Sequence, residues 1–322
     1  MKFRHTIHVF IDNFAVTYKQ LLYRLVIALI AIGLYAAILT PFVNAFTGSP
    51  DFVSLTEGIK SFLKNLVEGK PTELGPITEQ IKSAFQALLR LISDNRGDIA
   101  WGIAGVVTVH VVERFFAGLG NYATAAVIND RMALRADSPF MVTLIRNFKQ
   151  ASLYNLIYVP LSLAYDYLCF TLLYFFVFRL LAMLPFVFLV VEIFLYITFV
   201  VITIAFKMVF TTDWLPALIR GKATQKKAFL YTFDRRRKNT FNVLSNFIVL
   251  IILVFAINVA AIVFTFGVAA LLTIPSSYVI LLCFEFVNYY DREELKYFID
   301  KKTIIKPEKE HVPTREEFFK GE

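Results

Sequence analysis

Five ionisable residues stand where the surrounding chain is almost wholly apolar: His110, Glu113, Arg114, Asp166 and Glu192. His110 lies three residues from Glu113 and four from Arg114, so all three share one face of a helix. Carboxyl and imidazole groups placed at membrane depth can load and release protons, because burial disfavours the charged carboxylate. Three carboxyls against one guanidinium leave an acidic excess, which suits a polar seam passing a proton or a small cation. Arg114 would then set their protonation or hold an anionic substrate group. The plainer reading is an ion pair between helices, Arg114 with Asp166 or Glu113, that only fixes helix register.

Other chemistry finds little support. The sequence has no phosphate loop, dinucleotide fingerprint, HExxH or nucleophile elbow. Tyr165-Asp166 is similar to the first motif of intramembrane aspartyl proteases, but the companion Gly-x-Gly-Asp is missing. Cys169 and Cys283 both fall inside apolar runs, and His5, His8 and His311 have no ligand spacing around them. The expectation is a chain that is not an enzyme, with no cofactor and no metal.

The elements that must position the five residues are membrane spans. Of 322 residues 57% are apolar and 34 are Phe, and only 18% are charged, with a mean hydropathy of +0.62. Charge is absent over Leu180–Val191, Ile193–Phe206 and Phe241–Phe284, where water cannot be the solvent. About 20 apolar residues suffice to cross a bilayer, and this predicts six transmembrane helices at 25–46, 99–128, 153–178, 184–207, 243–264 and 268–290. The fold class is therefore all-α, a polytopic helical membrane protein built as three hairpins. Asp166 falls near the middle of the third span and Glu192 somewhat outside the middle of the fourth. Each charge at the centre of a span costs on the order of 2.5–3.5 kcal/mol, so these groups should meet inside the bundle.

Basic residues orient the spans. Nine Lys/Arg stand against Asp213 and Asp234 over 207–238, whereas 47–98 carries six against seven acids. The expected arrangement is a multi-pass protein of a bacterial plasma membrane with both termini cytoplasmic; abundant Phe and Tyr with few Cys suit a low-GC bacterium. Ahead of each hairpin stands an amphipathic stretch that would lie as a cytoplasmic interfacial helix. The first, within 1–24, carries Phe10, Phe14 and Tyr18 before Lys19; the second, within 129–152, carries Met141, Leu144, Ile145 and Phe148 before Lys149. The third, within 208–242, carries Phe229, Leu230 and Phe233 and ends in Arg235, Arg236, Arg237 and Lys238. That basic cluster would anchor on anionic lipid headgroups at about 1 kcal/mol per charge. It lacks interleaved base-stacking aromatics, so no nucleic-acid partner is expected. The segment 291–322 reads as a cytoplasmic tail interrupted by Pro307 and Pro313.

Trp214-Leu215-Pro216-Ala217, the run from Lys227-Ala228-Phe229 to Thr240-Phe241, and Asn288-Tyr289-Tyr290-Asp291 carry a family resemblance. With the repeated architecture of interfacial helix and hairpin, the chain resembles bacterial six-span membrane proteins of uncharacterised role. It also resembles the membrane region fused to some bacterial glycerophosphodiester phosphodiesterases. The resemblance covers little more than the last third. It implies topology and lends no activity, since these residues hold no soluble phosphodiesterase domain.

Between the first two spans, residues 47–98 form an extracytoplasmic helical hairpin. One helix carries Leu55, Ile59, Phe62, Leu63 and Leu66, capped by Ser54 with Glu57; the other carries Ile77, Ile81, Phe85, Leu88, Leu89 and Ile92 after Gly75-Pro76. Some fifty residues are near the lower limit for an independent core, so the two stripes pack on each other, on the membrane surface or on a membrane-protein partner. The leading expectation is a non-enzymatic scaffold or accessory subunit of a membrane complex. The alternative is a proton- or cation-linked small-solute transporter working through a polar seam between spans two, three and four.

Overall fold

The computed structural model describes residues 2–68, 79–83, 85–86, 93, 96–133, 138–175, 189–221, 224–232 and 240–295. Every regular element among them is helical, as hydrocarbon demands of a spanning chain that must satisfy its backbone internally. In order they are α1 (Lys2–Asp12), α2 (Phe14–Thr47), α3 (Pro50–Val67), α4 (Arg96–Met132), α5 (Phe140–Arg146) and α6 (Phe148–Leu173). Then come α7 (Leu189–Thr211), α8 (Trp214–Ile219), α9 (Gln225–Thr232), α10 (Thr240–Phe264) and α11 (Ala270–Arg292). Six stretches are long and apolar enough to cross a membrane: α2, α4, α6, Ile193–Ile219 from α7 into α8, α10 and α11. The chain is an all-α multi-pass membrane protein.

Two of the spans are longer than a bilayer needs. At 1.5 Å per residue the 34 residues of α2 reach about 50 Å and the 37 of α4 about 55 Å, against a hydrocarbon core of roughly 30 Å. The first helix therefore starts well before the apolar run at Leu25. Only Asn13 separates α1 from α2, its amide side chain donating to the Val9 carbonyl oxygen at 2.8 Å. Pro160 lies inside α6 and Pro275 inside α11. Pro185 is outside the described residues. The turn from α10 to α11 is a Schellman closure, with Phe266 at φ 51° and Gly267 at φ 90°. The Gly267 N–H donates to the Ile262 carbonyl at 2.9 Å, which caps an otherwise orphaned acceptor.

The chain divides into two compact units, Met1–Arg24 with Ala117–Glu322, and Leu25–Phe116. In the first, α10 packs on α7 and α11, α6 on α7, and α1 along α11. Val201 and Ala205 of α7, Phe247, Leu250 and Ile251 of α10 and Phe284 of α11 form one core. Phe3 of α1 stacks on Phe284 with centroids 5.5 Å apart, and the Lys2 ammonium donates to Asn288 Oδ1 at 2.9 Å. A second core joins Val16 of α2, Ala123 and Val127 of α4 and Phe140 of α5. In the second unit α2 and α4 approach closely at small residues. A Cβ on Gly102 would stand 2.8 Å from the Phe42 ring and one on Gly105 3.1 Å from Ile38.

Candidate functional site

Within Leu25–Phe116, the spacing that brings Gly102 and Gly105 against Phe42 and Ile38 carries His110 and Glu113 to Tyr35. The Tyr35 hydroxyl donates to Glu113 Oε2 at 3.1 Å and lies 3.4 Å from His110 Nδ1. The same Oε2 is 3.7 Å from His110 Nδ1. A carboxyl, an imidazole and a phenol thus form one hydrogen-bonding cluster in which a proton has three places to sit. Arg114 is exposed and makes no hydrogen bond or ion pair among the described residues. Tyr35 has no distinguishing mark in the sequence. It is a span tyrosine whose part in the cluster is set by the pairing of α2 with α4.

In the other unit Asp166 of α6 is met by Lys207 of α7. The ammonium donates to both carboxylate oxygens, at 2.7 and 2.9 Å. One residue earlier the Tyr165 hydroxyl donates to the Thr203 carbonyl at 2.8 Å, so two successive residues of α6 fix the register of α7. The sequence counts Lys207 among the basic excess that follows the fourth span, but α7 continues to Thr211 and Lys207 lies within the helix. Its distance along the chain from Asp166 gives no local signal of the pair. Glu192 lies on α7, its side chain outside the described set. Arg235, Arg236, Arg237 and Lys238 all lie outside the described residues.

A second polar region, which sequence reasoning passed over, is partly buried in the unit that contains Asp166. Gln20 Nε2 and the Arg24 guanidinium both donate to Asn121 Oδ1, at 2.9 and 2.7 Å, and the guanidinium lies 4.0 Å over the Tyr278 ring. The Tyr290 hydroxyl donates to Asn129 Oδ1 at 3.0 Å. Arg146 pairs with Asp130 at 3.0 Å, and Arg292 pairs with buried Asp213. Aromatic rings cluster in the same unit: Tyr154 stacks on Tyr158 at 5.1 Å, and Trp214 meets Tyr154 at 5.0 Å and Phe229 at 4.9 Å. Gly118 faces Asn155 and Gly120 faces Tyr23, neither with space for a Cβ. Glu285 is buried in the same unit.

A sequence signal for this region exists. Thr17, Gln20 and Arg24 recur at steps of three and four, and Tyr278, Glu285, Asn288 and Arg292 at seven, three and four, which places each set on one helical face. Apolar flanks hide those stripes from a hydropathy reading. No group of three or more His, Cys, Asp or Glu residues that could hold a metal ion occurs among the described residues. No protein-family model, curated protein or solved structure matches the chain.

Proposed function

We propose that this membrane protein is a non-enzymatic scaffold or accessory subunit of a membrane complex. It would sit in a bacterial plasma membrane with both termini on the cytoplasmic side. The observation that carries the reading is the pair Asp166–Lys207: the carboxylate of span three is neutralised within the chain by the next helix. A carboxylate held by two short bonds to an ammonium serves register better than ion transfer. The contact faces would then be outside the spans. Among them α3 exposes Ile59, Leu63 and Val67, four residues apart on one helical face. The basic excess of 207–238 supports the orientation, and Arg235–Lys238 would hold the cytoplasmic side to anionic headgroups.

The transporter reading keeps one specific support, the cluster of Tyr35, His110 and Glu113, which can carry a proton. Two variants separate the readings. In a scaffold, Lys207→Met leaves Asp166 unpaired and lowers the amount of assembled complex on native gels, and adding Asp166→Asn restores it. Leu63→Asp releases the folded chain from that complex. Full complex formation by Leu63→Asp, together with solute uptake abolished by Glu113→Gln, would overturn the scaffold reading in favour of transport.

A further inference from the structure

One charged group of the second span is left without a partner. Arg114 stands eighteen residues from either end of α4, is exposed, and makes no hydrogen bond or ion pair among the described residues. Its neighbour fixes its depth. Glu113 is bonded by Tyr35, which is central in the charge-free run Leu25–Phe46 of α2, so Glu113 and Arg114 both lie near the middle of the hydrocarbon. A long side chain near a helix end can extend to the interface, but one at mid-span has roughly 15 Å of hydrocarbon on either side. Phospholipid phosphates stay outside that layer and do not answer the charge.

Glu113 is only half used. Tyr35 and His110 both approach Oε2, whereas Oε1 makes no hydrogen bond or ion pair among the described residues. His110 and Glu113 keep 32% and 33% of their side-chain surfaces exposed, so the free oxygen is open to a neighbour. Glu113 and Arg114 cannot satisfy each other, because successive residues point about 100° apart around a helix. The other acids of α4, Asp98 and Asp130, are several turns away. A free guanidinium and a free carboxylate oxygen at one depth, side by side on one helix, make a self-complementary face.

We propose that α4 pairs with α4 of a second copy, the two helices parallel about a two-fold axis along the membrane normal, with Arg114 of each copy bonded to Glu113 of the other. Such an axis keeps both copies at equal depth, and its interface uses the same patch twice. When the helices meet along the line between the two residues, the rotation brings Glu113 of one opposite Arg114 of the other, and the bond forms twice. That line carries Ile103, Val106 and His110 at steps of three and four, none of them buried within the chain. Away from water, a guanidinium–carboxylate bond between helices meets little competition. A foreign span bearing an acid would neutralise Arg114 but leave Glu113 Oε1 unused, whereas a second copy answers both. The inference goes beyond the scaffold reading and does not depend on it, because it uses neither Asp166 nor α3.

The test counts copies of the full chain, each carrying one fluorophore on a C-terminal tag, by single-molecule photobleaching in lipid vesicles as the protein-to-lipid ratio is raised. Two-step bleaching should rise with that ratio and saturate for the parent. In Arg114→Gln and in Glu113→Gln the midpoint should move about tenfold or more toward higher ratios, since symmetry removes both bonds at once. Arg114→Glu and Glu113→Arg should each stay single when reconstituted alone, because like charges then face each other. Mixed, the two should pair, because both contacts are again opposite in sign. Leu63→Asp, which bears on the scaffold reading, should pair as the parent does, and helical circular dichroism shows that each variant is folded. A parent that stays single at every ratio overturns the proposal, as does a folded Arg114→Gln chain that pairs as tightly as the parent. Folded charge reversals that remain apart when mixed, or pairing lost in Leu63→Asp, overturn it too.

Discussion

The two units of this chain are held together in different ways. Met1–Arg24 with Ala117–Glu322 buries Trp214, Tyr122, Tyr289, Tyr290, Phe247, Phe284 and Phe286 almost completely, and with them Asn129, Asp213, Glu285 and Asn288. In Leu25–Phe116 the sole hydrophobic residue buried to that degree among the described residues is Ala31. The first resembles the interior of a water-soluble domain in that it holds polar side chains among buried rings. In the second, most large apolar side chains of α2 and α4 are exposed. Lipid solvates Leu and Val as well as a protein interior does, so apolar burial gives such a pair little drive to associate. What remains is close approach at Gly102 and Gly105 and the polar cluster of Tyr35, His110 and Glu113. The difference teaches that one chain in one membrane can use both modes of helix association.

The two tryptophans allow that comparison to be tested, since Trp101 lies in the outward-facing pair and is exposed, whereas Trp214 is 1% exposed in the packed unit. Replacing either by Phe leaves a single reporter in the other unit. The largest effect is expected from Arg292→Leu, which leaves the carboxylate of Asp213 buried without its guanidinium. A loss of about 3–5 kcal/mol should appear as early unfolding of the Trp214 signal, and Asp213→Leu in the same chain should recover most of it. An unchanged Trp214 transition would break the distinction, because it would mean that the buried pair contributes nothing to that core.

A smaller effect, about 1–3 kcal/mol for forcing a side chain into a close contact, is expected from Gly105→Leu. It should alter Trp101 emission and quenching and leave the Trp214 transition in place. If both reporters move together, the two units unfold as one and the contrast loses its energetic meaning. The smallest change is expected from Glu113→Gln, about 1 kcal/mol for weakening one hydrogen bond to a charged acceptor. Combined with Tyr35→Phe it should be non-additive, since both variants act on the same bond. Additive losses in thermal unfolding would show that the cluster is not a unit.

Much of the fold was legible in the residues. The six spans follow from hydrocarbon's demand for uninterrupted apolar runs, and their existence needs no knowledge of neighbours. The turn at Thr265–Gly267 was legible too, because a glycine interrupts an apolar run long enough for two crossings. The start of the first helix was not. The sequence places a boundary at residue 24, before the apolar run, whereas α2 begins at Phe14. Its polar first turns are helical because Val16 has a core to enter and Gln20 has Asn121 to bond, and hydropathy records neither.

The candidate site divides along the same line. His110 and Glu113 share a face by their spacing alone, so their grouping could be read directly. Asp166 could be read as needing a partner, since an isolated carboxylate in a span is costly, but the identity of that partner could not. Lys207 is 41 residues away along the chain, and only the packing of α7 on α6 brings it there. Likewise Arg24 and Glu285 are ordinary flanking charges in the sequence. Composition and periodicity determined that this is an all-α membrane protein with charges at depth, because solvent and helix geometry act on each segment separately. Tertiary structure alone decided which charges are neutralised, because pairing depends on the register between helices distant in the chain.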